Sequence, residues 1–161
     1  YRFGMPTIGD PSDNVTSDSG WGCMHRSAQM LLARALMITR KIQPSSSDDE
    51  MDHNNLSKEY CSLLQLFMDD DEGPHQFRPY SIHAMIKTRL TTVAKWLGPS
   101  KAAHILRDIV HSEEASKEDP LSCKMNVVVA DQVVYVDVVN RKCWDRQLQW
   151  QRKQGTTSTR Q

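Results

Sequence analysis

Hydrophobic positions along the chain recur with helical spacing in two stretches, and cap residues after breakers mark two further helices. Met24, Ala28, Leu31, Ala35 and Ile38 follow one another at steps of 4, 3, 4 and 3, one face of an α-helix running from Met24 to Lys41. Met30, Leu32, Leu36 and Met37 widen that face, which predicts a helix covered on most sides. No Gly or Pro interrupts it, and Pro44 lies just beyond its end. Residues 44–55 form a polar, acidic loop. Leu56, Tyr60, Leu63, Leu64 and Phe67 predict a second helix over Leu56–Met68. Asp69, Asp70, Asp71 and Glu72 then sit at the unfavourable end of its dipole, so fraying is expected there. A third helix begins at Ile82 with Ser81 as N-cap, and a fourth covers Ala102–Val110 with Ser100 as its cap.

The pattern changes near the end of the chain. Val127-Val128-Val129 is a β-branched run and reads as a strand. Asp131–Cys143 fits a strand by its valines and a helix by the spacing of Val133, Val134, Asp137, Val138 and Arg141. Residues 144–161 lack a core-forming pattern and are expected to be a polar tail without fixed structure. The expected organisation is an α+β domain over residues 1–143, helix-rich at its start, followed by the tail at 144–161.

Composition narrows the function classes. The 161 residues amount to one ordinary domain or part of a larger one. Lys+Arg and Asp+Glu number 20 each, so the basic excess of a general nucleic-acid binder is missing. No apolar run reaches the roughly 18 residues of a membrane span. Four cysteines contain no Cys-x-x-Cys pair, and no His-x-x-x-His pair occurs, so neither a metal nor another cofactor is expected. That cysteine usage fits a reducing, intracellular setting, with a cytoplasmic location expected. The chain begins with Tyr1 rather than Met, which suggests a piece of a longer polypeptide.

The chemistry concentrates where a glycine-rich loop meets the first helix. Residues 1–22 hold Gly4, Pro6, Gly9, Pro11, Gly20 and Gly22, a run of tight turns, and Cys23 follows directly. Unpaired N–H groups and the positive end of a helix dipole favour thiolate over thiol, which makes a nucleophile. The same N–H groups can face an oxyanion. The alternative is a packed thiol, since free cysteine is among the most buried residue types. Cys61, Cys123 and Cys143 read as packing or incidental thiols. His25, two residues on, points away from Cys23 on a helix and is a poor base for it. Trp96, in Trp96-Leu97-Gly98-Pro99, reads from the local pattern as a cover for core.

Longer blocks are more specific. Tyr1-Arg2, Pro6-Thr7-Ile8-Gly9, Thr16-Ser17-Asp18-Ser19-Gly20-Trp21-Gly22-Cys23-Met24, Arg26-Ser27-Ala28-Gln29-Met30-Leu31-Leu32-Ala33 and Ala35-Leu36 resemble the N-terminal half of the autophagins. These are cysteine proteases that process ubiquitin-like autophagy modifiers. Tyr80-Ser81-Ile82-His83 and Trp96-Leu97-Gly98-Pro99-Ser100, leading into Ala103-His104-Ile105-Leu106, continue the resemblance, which spans about residues 1–143. It implies a papain-like α+β fold with Cys23 as nucleophile, Tyr1 at the oxyanion hole and Trp96 covering and gating the cleft. The implied substrate is the C-terminal glycine region of a ubiquitin-like modifier. The precursor is cut to expose glycine, and the conjugate with phosphatidylethanolamine is cut later at a membrane surface. No nucleic-acid partner is implied.

The family's base and orienting acid lie in a downstream Asp-Pro-His motif, and no such motif occurs in these 161 residues. Asp137-Val138-Val139 lacks the histidine. Lys87-Thr88-Arg89-Leu90-Thr91-Thr92 stands where the family usually carries glycines. A thiol of pKa about 8.5 is only a few per cent ionised near neutrality. A helix terminus contributes about 0.3–1 kcal/mol, whereas a paired histidine lowers a papain-type thiol to about 3–4. The expectation is a reactive thiol with little turnover in the chain alone. The alternative is a non-catalytic truncated isoform or fragment that binds the modifier or another protein.

Overall fold

A computed structural model describes residues 4–42, 58–69, 78–88, 90–112 and 125–129, together with 141, 142, 144, 145 and 148. The described regular structure is helical: α1 (Cys23–Arg40), α2 (Lys58–Gln65), α3 (Ile82–Lys87) and α4 (Pro99–Val110), with a 3-10 turn at Pro11–Asp13.

The helix boundaries follow from local chemistry. α1 closes at Lys41, whose left-handed backbone (φ 55°) lets the Ile42 N–H donate to the Met37 carbonyl at 2.9 Å. Ser81 caps α3 as expected, its hydroxyl accepting the Ala84 N–H at 3.2 Å. The cap expected at Ser100 is corrected. α4 starts three residues earlier than Ala102, at Pro99, because a proline ring presets the helical φ and needs no N–H partner. Gly98 therefore becomes the N-cap and Ser100 lies inside the first turn.

α1 organises the packing, with α2, α3 and α4 all against it. Ala28, Leu32 and Leu36 of α1 meet Leu63 of α2, Met85 of α3 and Ala102, Ile105, Leu106 and Ile109 of α4 in one core cluster. Tyr80 joins them fully buried, its ring 5.3 Å from that of Phe67. A second cluster of Met5, Ile8, Trp21 and Ile82 holds the N-terminal loop. That loop doubles back on itself: the Met5 N–H donates to the Thr16 carbonyl at 3.0 Å and the Ile8 N–H to the Val15 carbonyl at 2.8 Å.

Two further expectations are corrected. α1 is not covered on most sides, since Met30, Leu31 and Ile38 are 72%, 66% and 64% exposed. All three helical neighbours gather on the opposite stripe. Val127–Val129 forms no strand among the described residues. The Val127 N–H is instead taken by Nε2 of His111 at 3.3 Å, just past the end of α4. Residues 130–140, 143, 146, 147 and 149–161 lie outside the described residues, and with them most of the Asp131–Cys143 segment and of the expected tail.

Candidate active site

The turn that delivers Cys23 is built from its own loop. The Asp18 carbonyl accepts the Trp21 N–H at 3.4 Å and the Gly22 N–H at 2.8 Å. Gly20 takes φ +82° at the third position of that turn, a conformation that L side chains rarely adopt. Trp21 is buried and anchors the turn, its indole N–H donating to the Ser17 carbonyl at 3.1 Å. The chain then enters α1 with Cys23 as its first residue. Cys23 is a free, half-buried thiol. The N-cap position is Gly22, and no side chain caps the helix, which leaves first-turn N–H groups available to an anion beside the sulfur.

Behind this turn lies a charge cluster that reading the residues singly did not find. The Arg26 guanidinium donates from Nε to Oδ2 of Asp18 at 2.7 Å. From Nη1 it donates to Oδ2 of Asp69 at 2.6 Å and to Oε1 of Gln29 at 2.9 Å. Asp69 also accepts the Ile82 N–H at 2.8 Å, and Gln29 donates to the Tyr80 carbonyl at 2.7 Å. One side chain thus ties the loop before Cys23 to the segment after α2 and the start of α3. Asp69 was expected among solvated acids at a fraying helix end. It is instead 3% exposed, because Arg26 and the Ile82 N–H give its carboxylate buried partners.

Electrostatics follow from these contacts. Burial pushes the Asp69 carboxyl up, but His83, the charge and hydrogen bonds of Arg26, and the Ile82 N–H together hold it below the usual carboxylate range. Burial also weakens the protonated form of Arg26, and its two carboxylates more than reverse this. His83 is 3% exposed, with Nδ1 3.9 Å from Asp69 and Nε2 3.1 Å from the Pro6 carbonyl.

His25 is fully buried, edge-on to Trp21 with ring centroids 5.2 Å apart. Neither ring nitrogen has a hydrogen-bond partner among the described residues. Burial, reinforced by Arg26 and partly offset by Asp18, lowers its pKa to about 4. It is packed as a neutral ring.

The residues expected at the site are placed unevenly. Cys23 stands at the helix start as anticipated. Tyr1 lies outside the described residues. Trp96 is 78% exposed and covers no core, while the adjacent Leu97 is 3% exposed and takes that place. Trp96 lies just ahead of α4, which packs along α1. No grouping of His, Cys, Asp and Glu suited to a metal ion occurs among them. No described helix is long and apolar enough to cross a membrane.

A free cysteine at a helix start behind a glycine turn is an arrangement that thiol hydrolases share. Residues 1–159 match the peptidase C54 catalytic domain, and the chain belongs to that family of autophagy cysteine proteases. A probable cysteine protease ATG4 of Phaeosphaeria nodorum is 32% identical over 155 residues, 94% of this chain and 30% of that protein. Cysteine protease ATG4B of Xenopus laevis is 31% identical over 146 residues, 89% of this chain and 34% of that protein. Cysteine protease ATG4 of Gibberella zeae is 34% identical over 113 residues, 68% of this chain and 22% of that protein. The chain therefore spans about a third or less of the length of these relatives.

Proposed function

We propose that Cys23 is the nucleophile of a protease that cuts ubiquitin-like autophagy modifiers after a C-terminal glycine. The observation that carries this reading is Cys23 as the first residue of α1, behind Gly22 and with no side-chain cap competing for the first-turn N–H groups. The thiolate attacks the glycine carbonyl and forms a thioester as the C–N bond breaks. The leaving amine takes a proton, and water then hydrolyses the thioester to free the glycine carboxylate and the thiol. Tyr1 and the helix N–H groups face the oxyanion, and Trp96 closes over the modifier's extended C-terminal segment. The same cut on a modifier joined to phosphatidylethanolamine releases it from a membrane surface, so a cytoplasmic enzyme meets its second substrate there. The complete domain is papain-like and α+β.

These 161 residues hold no Asp-Pro-His, and in this reading a histidine outside them acts as base and proton donor. The chain alone then forms the thioester poorly and turns over little. A precursor-cleavage assay reading exposed C-terminal glycine tests this. Turnover by a polypeptide carrying the missing half, abolished by Cys23→Ala, supports the reading. Turnover that survives Cys23→Ala ends it.

The second reading is a non-catalytic form that binds the modifier or another protein without cutting it. Pull-down of the modifier by the 161-residue chain supports that reading, and absence of binding rejects it.

A further inference from the structure

The N-terminal loop meets the helices across a small joint. The main core of α1, α2, α3 and α4 contains none of Met5, Ile8 and Trp21, which form their own cluster with Ile82. A satellite cluster of that size opens at lower cost than the core beside it. Within the loop the bonds are local: the Trp21 and Gly22 N–H groups donate to the Asp18 carbonyl, and the Trp21 indole donates to the Ser17 carbonyl. Across the joint, Asp18 meets Arg26, the Pro6 carbonyl meets His83, and Trp21 packs against His25.

His25 is the part of this joint that a proton can break. It is 0% exposed, and neither ring nitrogen has a partner among the described residues. A buried imidazolium needs acceptors for two N–H groups, and none is at hand there. The surroundings also oppose a positive charge. His25 lies in the first turn of α1, at the positive end of the helix dipole. Arg26 follows it on the same helix and disfavours a second cation. Asp18, from the loop, acts the other way but is already bonded to Arg26. Asp69 and His83, from the segment after α2 and from α3, join the same cluster through Arg26.

We propose that His25 is a proton-operated latch: neutral, it seats Trp21 and keeps the cysteine-bearing turn closed; protonated, it releases the loop while the helical core stays folded. The ring has a pKa of about 4 when seated and an ordinary value near 6.5 once in water, so acid favours the open form. Between pH 7.5 and pH 5 the opening constant rises roughly thirtyfold. The latch acts on the loop whatever the chemistry of the thiol.

Native-state hydrogen exchange of the 161-residue chain in low urea tests this. The loop probes are the Gly22 amide and the Trp21 indole N–H, with the Ile105 and Ile109 amides of α4 as reference. Global unfolding also exposes His25, so α4 shares the pH dependence, and the urea slope separates the two routes. The loop probes are expected to exchange with little urea dependence, through an opening that grows roughly thirtyfold from pH 7.5 to pH 5. The α4 probes keep the steep slope of whole-chain unfolding at both pH values. In His25→Leu and His25→Gln, neither of which titrates at position 25, the loop opening is expected to be the same at both pH values. If one variant does not fold, the other decides. Loop probes that share the α4 urea slope at both pH values overturn the latch, as does a loop opening that pH does not move. A rise that persists in the variants makes another group the sensor and overturns it too.

Discussion

Asp18 occupies the space that any side chain at position 22 would need. A Cβ on Gly22 would fall 2.5 Å from the Cβ of Asp18 and 2.8 Å from its Oδ2. Since Gly22 has φ −78°, the demand for glycine is steric and not conformational. The nearest atoms belong to a buried side chain clamped by Arg26, so they have no room to yield. Gly22→Ala is expected to cost about 1–3 kcal/mol, the range for forcing an extra carbon into packed structure. Gly20→Ala meets no atom within 4 Å but keeps φ +82°, so its cost is backbone strain of about 1–2 kcal/mol. Urea midpoints measure both. Only Gly22→Ala is expected to change the Cys23 alkylation rate as well, because only it pushes against Asp18.

His25 predicts a pH-dependent stability of definite sign. Its folded pKa is lowered to about 4, below an ordinary unfolded value near 6.5. The unfolded chain therefore binds the proton first as pH falls. The stability associated with the neutral ring is complete above about pH 6.5 and is lost as pH falls from there toward 4, on the order of 3 kcal/mol in all. His25→Leu removes this slope and the two unpartnered buried nitrogens together. Denaturant midpoints at pH 7.5 and pH 5 are expected to converge for the variant relative to the parent. An unchanged pH difference would show that His25 reaches water.

The helices were legible because their signals are local. Apolar residues three and four apart placed α1 within a residue of its ends, the Gly98-Pro99 breaker announced α4, and Ser81 announced α3 through a hydroxyl that accepts Ala84. The place of Cys23 at a helix start was legible from a glycine turn meeting a helix. The clamp was not, because its partners are far apart in sequence: Asp69 is 43 residues from Arg26. Asp69 looked like the first of four solvated acids, and nothing local marks it as buried. The exposed Met30, Leu31 and Ile38 misled in another way. Their spacing reports a face suited to burial, while the described residues supply partners only for the opposite face of α1.

Trp96 separates a solvent-facing role from a core role. At 78% exposure it loses little buried contact on truncation, so Trp96→Ala is expected to change stability by no more than about 0.5 kcal/mol. Leu97→Ala, next to it and 3% exposed, is expected to cost about 2–5 kcal/mol. Acrylamide quenching gives an independent reading: removing Trp96 takes away readily quenched emission, whereas buried Trp21 remains protected. In a complete polypeptide, a gating role predicts that Trp96→Ala alters modifier cleavage while Cys23 alkylation by a small reagent stays the same. Equal loss of both would assign Trp96 to the local structure of the cysteine.

Asp69→Ala is expected to be the most damaging single change outside the hydrophobic core. It removes the 2.6 Å partner of Arg26 and the 2.8 Å acceptor of the Ile82 N–H in one step. Breaking a buried ion pair from one side costs about 3–5 kcal/mol, because the remaining charge stays desolvated. Arg26 keeps Asp18, which places the expected loss toward the lower end of that range. Asp69→Asn is milder, since its amide oxygen still accepts from Ile82 while its NH2 group faces the guanidinium poorly. The acid limb adds a second check. The folded carboxyl sits below its ordinary value, so its contribution is complete above the unfolded pKa near 3.9 and disappears as pH falls through the folded one. Urea midpoints for parent and Asp69→Asn should therefore differ most near pH 7 and converge as pH falls through the lowered folded value. A constant difference across that range would mean that hydrogen-bond geometry, and not the charge on Asp69, holds α3 to the cysteine-bearing helix.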